Sequence, residues 1–106
     1  MKCIEKIEVY RMPDNDPDPS YLEQEGFEDR LDQYKRGVFG YMGIVAKAEV
    51  VIDGICQTIT SGGLWGIEDD SDEGYLNEIA QEQLNELSDQ LEAIGFPKRQ
   101  LLLGDL

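Results

Sequence analysis

A single α+β domain, an antiparallel sheet with helices packed on one face, is the fold class this sequence predicts. Three observations predict it. The chain has 106 residues, 41% of them hydrophobic, which suits one core. Ile44, Ala46, Ala48, Val50 and Ile52 alternate with Val45, Lys47, Glu49 and Val51, and then run into Asp53-Gly54, a strong two-residue hairpin turn. Between Leu76 and Ile94 the apolar residues return at helical spacing.

In chain order, residues 2–11 are rich in Ile, Val and Tyr and read as a first strand with imperfect alternation. The stretch MPDNDPDPS holds three prolines, so it neither continues a strand nor starts a helix early. Ser20 is the expected N-cap of a helix over about residues 21–36, with Leu22, Phe27, Leu31 and Tyr34 as its apolar stripe. Gly26 weakens that helix by ~1 kcal/mol, and Gly37 stops it. Pairing across Asp53-Gly54 sets Ile52 opposite Ile55, Val50 opposite Gln57 and Ala48 opposite Ile59. One face of the hairpin is then apolar, and the other carries Lys47, Glu49, Thr58 and Thr60.

Gly62, Gly63 and Gly66 do not match a nucleotide-binding loop, and read as a bend that brings the sheet edge toward the last helix. That helix covers about residues 72–94, with Leu76, Ile79, Ala80, Leu84, Leu87, Leu91 and Ile94 on one stripe. Asp70 or Ser71 is its expected cap, and Gly95 and Pro97 end it. Residues 97–106 are either a short added strand or a flexible apolar tail reaching for a partner. There is no repeat and no second domain.

Histidine is absent, which removes His-based triads, His metal ligands and the usual neutral-pH acid/base group. No enzyme activity and no cofactor are expected. Cys3 and Cys56 form no C-x-x-C pair and lie in strand-like sequence, so buried reduced thiols are expected. Asp14, Asp16 and Asp18 have the spacing of a calcium loop with Glu25 at its twelfth position, but Pro19 stands where that loop needs glycine. No metal site is expected there or among the acids at 68–73. Trp65 reads first as a core or rim aromatic and second as an interface contact.

Charge is the stronger signal. The formal net charge is −14, which disfavours direct binding to nucleic acid or anionic membranes and attracts basic protein surfaces. No run approaches the ~18 apolar residues of a membrane span, and a cytoplasmic location is expected. Between Lys47 and Lys98 there is no Lys or Arg, while acids recur throughout. Glu78, Glu82 and Glu86 stand four apart, ~6 Å along a helix axis, against ~3.4 Å between phosphates on one DNA strand. Helix capping uses two or three of Glu68, Asp69, Asp70, Asp72 and Glu73, leaving an excess. The expected partner-binding set is these five acids with Glu78, Glu82, Glu86, Asp89 and Trp65. A second acidic zone, residues 14–32, gives a two-rail acidic face if both helices lie side by side.

The string TSGGLWGIEDDSDEGYL, followed by an acidic amphipathic helix, resembles a group of small bacterial and mobile-element proteins of no assigned activity. The likeness covers roughly residues 21–96 and carries no functional residue with it. In size, acidity and α+β type the chain is also similar to phage inhibitors of host defence, including anti-CRISPR and anti-restriction proteins. Two functions follow as expectations. One is a non-enzymatic inhibitor that mimics nucleic acid and blocks the basic groove of a defence complex. The other is an adaptor or regulatory subunit that binds through Trp65, Tyr75 and the apolar tail. Whether two copies join in a homodimer is left open.

Overall fold

The computed structural model describes residues 1–106 as four strands and two α-helices. The strands are β1 (Lys2–Pro13), β2 (Tyr41–Ile52), β3 (Ile55–Thr60) and β4 (Leu64–Glu68); the helices are α1 (Glu28–Lys35) and α2 (Glu73–Ala93). Single 3-10 turns lie at Ser20–Glu23 and Leu103–Asp105. β2 is the centre of an antiparallel sheet. β1 pairs along one side of it, and β3 and β4 share the other side end to end.

The hairpin has the expected register, Ile52 with Ile55, Val50 with Gln57 and Ala48 with Ile59. Asp53 and Gly54 have φ of 51° and 81°, the two positive values of a tight turn that matches strand twist. β1 explains its own irregular sequence. Ile4 pairs Val50 and Ile7 pairs Ala48, with a register shift between Ile4 and Lys6. That bulge absorbs one residue and turns both isoleucines to the same face. β4, not foreseen as a strand, follows a glycine-rich step in which the Ser61 N–H donates to the Ala46 carbonyl at 2.8 Å.

α2 spans one sheet face. Small Ala46 and Ala48 let it lie close, and Leu84 and Leu87 are fully buried against them with Val50, Leu91, Phe96 and Leu101. Nearer its N-terminus, Leu76, Ile79 and Ala80 pack on Met42, Ile44 and Ile67. Its cap is Asp72, whose carboxylate accepts from the Gly74 N–H at 3.0 Å, and not Asp70 or Ser71. Asp70 is instead held by Arg30.

Four further expectations are corrected. The helix over 21–36 is broken: Gly26 has φ +97°, and only Glu28–Lys35 is α-helical. Neither Ser20 nor any other side chain caps it. Second, α1 joins Leu22, Phe39, Tyr41, Tyr21, Leu31 and Tyr34 in a cluster that contains no residue of α2. The two acidic zones therefore do not form parallel rails. Third, Cys3 and Cys56 are exposed free thiols. Both pair with Val51, whose side chain alternates away from the α2 face, so no helix covers them. Fourth, the tail is docked, neither a strand nor a loose apolar arm. Leu101 is buried, Gln81 Nε2 donates to the Leu101 carbonyl at 2.6 Å, and the Leu103 N–H donates to Gln81 Oε1 at 3.0 Å. The resulting body measures 55 × 23 × 19 Å. No helix is long and apolar enough to cross a membrane.

Candidate functional site

The acids of residues 68–73 are brought together, and each has an intramolecular partner. Glu68 accepts from the Tyr21 hydroxyl at 2.6 Å and from Arg30 at 2.7 Å. Asp69 accepts from the Gly40 N–H at 2.9 Å. Asp70 takes both arms of the Arg30 guanidinium, at 2.8 and 2.5 Å. Asp72 caps α2, and Glu73 forms a two-pronged ion pair with Arg11. The excess over capping is thus consumed by the fold. Arg30 also lies 3.6 Å above the Phe39 ring, which fixes α1 to the start of β2.

These pairs shift the groups involved. The Arg30 hydrogen bond holds the Asp70 carboxyl below its ordinary range, and Arg11 does the same for Glu73. Burial pushes the Tyr21 hydroxyl up, reinforced by its bonds to Glu68 and Tyr41. Tyr41 is raised as well, by burial first. Both tyrosines are therefore neutral hydrogen-bonding groups, used for structure.

α2 divides its acids differently. Glu86 Oε1 accepts from the Gly62 N–H at 3.0 Å, one turn from Gln83 Oε1, which accepts from the Gly63 N–H at 3.0 Å. This pair fastens the glycine step to the helix, as the bend reading required. Glu78, Glu82, Asp89 and Glu92 are exposed and have no ion-pair or hydrogen-bond partner within the chain. At 3.6 residues per turn these four fall within an arc of about 80°. They form one stripe, and Glu86 lies outside it. From Glu78 to Glu92 the stripe runs ~21 Å along the axis.

Trp65 belongs to neither extreme of its two readings. The β4 bulge sets Trp65 and Gly66 against Gly43, and the indole lies on that glycine; a Cβ there would stand 2.2 Å from the ring. Trp65 is nevertheless 45% exposed. With Leu64, Tyr21, Ile67 and Tyr75 it lines an open cleft of about 380 Å³ beside Glu68. Asp14 helps set this geometry: its carboxylate accepts from the Gly66 N–H at 2.9 Å and from the Asp16 N–H at 3.0 Å. No group of three or more His, Cys, Asp and Glu side chains is placed to hold a metal ion.

Sequence reasoning missed Arg11, Arg30 and Gln81, the residues that hold the acidic loop and the tail. For Arg30 a signal existed, since it is the only base within residues 14–32. What this surface offers chemically is charge and contact: a free acidic stripe on α2, an acidic loop whose carboxylates are all hydrogen-bonded within the chain, and a half-exposed aromatic cleft. No family model, curated protein or solved structure matches the chain.

Proposed function

We propose that this chain is a non-enzymatic inhibitor that lays the acidic stripe of α2 into a basic groove that otherwise holds nucleic acid. The observation that carries this reading is the unpartnered row Glu78, Glu82, Asp89 and Glu92. Such a row is costly to keep, because like charges three and four apart weaken a helix. The row sits on a rod 55 Å long, about sixteen steps of the ~3.4 Å phosphate rise. The partner is a basic nucleic-acid-binding protein complex, of the type that anti-CRISPR and anti-restriction inhibitors meet in the cytoplasm.

The acids of the 68–73 loop contribute long-range field but are not the contact row, since Arg30 holds Glu68 and Asp70, Arg11 holds Glu73, and backbone N–H groups hold Asp69 and Asp72. Glu86 is likewise committed to Gly62. The clean charge reversal is therefore Glu78→Lys with Glu82→Lys and Asp89→Lys, which leaves every internal bond intact. A partner captured from source-cell extract and purified gives the test. Wild-type chain should displace a labelled DNA or RNA from it, and the triple reversal should lose that competition at least tenfold. Simultaneous binding of the chain and the nucleic acid would end the mimicry reading.

The adaptor reading keeps one supporting observation: Leu64, Trp65 and Tyr75 are each 40–50% exposed around one cleft. Its tail component narrows to Leu102 and Leu106, which are exposed, since Leu101 is a core residue. If the adaptor reading holds, Trp65→Ala with Tyr75→Ala abolishes capture, and the triple reversal leaves it unchanged.

A further inference from the structure

The two long edges of the sheet are treated in opposite ways. β1, on one edge, carries the defences that keep edge strands from pairing with other chains. It has Lys2, Glu5, Lys6, Glu8 and Arg11 along its length, a bulge after Ile4, and Pro13 at its end. Residues of the docked tail flank it, across a cleft lined by Ile4, Ile7, Leu101 and Leu106. β3, on the other edge, has none of these. Its sequence is Ile55-Cys56-Gln57-Thr58-Ile59-Thr60, and all but Ile59 are exposed. Residues 54–67 contain no Asp, Glu, Lys or Arg, in a chain of net charge −14.

The backbone of β3 is half used. The tight turn makes Ile52 and Ile55 a hydrogen-bonded pair, and antiparallel alternation then directs Ile55, Gln57 and Ile59 toward β2. The Ser61 N–H donating to the Ala46 carbonyl continues the same alternation. The N–H and C=O groups of Cys56, Thr58 and Thr60 consequently point outward from the sheet, toward no other strand.

We infer that the β3 edge is the interface for a second copy of this chain, which pairs β3 with β3 antiparallel and makes one continuous sheet. Charge selects this occupant. A basic partner strand would be drawn to acids, and this edge has none; a second copy, itself at −14, can approach closely only where acids are missing. An antiparallel strand pair is also self-complementary under a two-fold axis. Centring the axis on Thr58 puts Thr58 opposite its own copy and Cys56 opposite Thr60. That register satisfies all the outward groups, with about six backbone hydrogen bonds. Two β2 strands then stand three strand spacings apart, about 14 Å, and the two α2 helices, each lying over β2 and β3, come side by side above the joined sheet. The pairing doubles the acidic body and sets both α2 stripes on the same side. It does not depend on the inhibitor reading.

A six-residue edge buries too little area for a permanent dimer, so the equilibrium is concentration-dependent. Sedimentation velocity of the full chain, over a hundredfold range of concentration, should show monomer giving way to dimer. Thr58→Pro, which deletes a central donor, and Thr58→Lys, which sets two like charges face to face, should each return the chain to monomer. Circular dichroism verifies that both remain folded, and Thr58→Lys stands alone if the proline disrupts β3. The register has its own test. In a Cys3→Ser background, Thr60→Cys places a new thiol opposite the partner's Cys56 at the ~5.5 Å Cα spacing a disulfide accepts, so mild oxidation should link the copies. The same background with Gln57→Cys should link far less. A chain that stays monomeric throughout, or a dimer indifferent to both Thr58 variants and to the position of the thiol, overturns the inference.

Discussion

Arg30 is the residue with most to lose. It lies between Glu68 and Asp70 and stacks on Phe39, so Arg30→Gln strands two carboxylates beside each other and loosens α1. Charge-assisted bonds of this kind, a quarter to two-fifths exposed, suggest a loss of about 1–3 kcal/mol. The pH dependence follows from Asp70, whose folded pKa is depressed. Its contribution is fully present above the ordinary Asp value of about 3.9 and is lost as pH falls through the lower folded value. Urea midpoints measured from pH 7 to pH 2 should show an acid-side loss in wild type that is smaller in Arg30→Gln. Gly43 is the second sensitive position, for a steric reason. Gly43→Ala drives a methyl into the indole of Trp65 and should cost about 1–3 kcal/mol, with a shift in tryptophan emission as the ring is expelled. Unchanged emission in a folded variant would show that the ring does not rest on Gly43.

At the scale of elements, the seam between α2 and β2 carries the fold. Leu84 is fully buried against Ala46, Ala48 and Val50, and Leu84→Ala should cost about 2–5 kcal/mol, whereas Glu82→Ala on the opposite side should change the melting curve little. Gln81 is the matching device for the tail. Gln81→Ala removes two bonds to Leu101 and Leu103, and hydrogen exchange at residues 99–106 should accelerate while α2 and the hairpin stay protected. These elements differ in how openly the sequence declares them. The hairpin and α2 are legible because their apolar periods, two and 3.6, run uninterrupted through Ile44–Ile52 and Leu76–Leu91. β4 is concealed by Gly63 and Gly66, whose positive φ breaks any period, and the true start of α1 by Gly26 in the same way. The bulge in β1 appears in sequence only as a flaw in alternation. The acidic loop was the least legible feature. Its meaning depends on partners forty and sixty-two residues away, Arg30 for Asp70 and Arg11 for Glu73, which no local pattern connects.

For the whole molecule, the −14 charge makes opposite demands on stability and on binding, and salt separates them. At 0.01 M ionic strength the Debye length is about 30 Å, more than half of the 55 Å long axis, so the acids of α2, the turn at 14–18 and the tip at Asp53 all repel one another. At 0.15 M it falls to about 8 Å, and only neighbours ~6 Å apart, such as Glu78 and Glu82, still interact strongly. Folding brings these charges closer together than they are in the extended chain. Raising salt over this range should therefore raise the melting temperature, through relief of self-repulsion rather than through any specific ion. The same screening weakens attraction to a basic groove, so affinity for the captured partner should fall as stability climbs. The triple reversal at Glu78, Glu82 and Asp89 moves the net charge from −14 to about −8. It should flatten both responses at once, giving a chain less stabilised by salt and a binding curve less weakened by it. Calorimetric melting and equilibrium binding, run in the same buffers on both proteins, read the two slopes. If the melting temperature rises with salt but affinity does not change, the acidity serves solubility alone and the α2 stripe is not the contact surface.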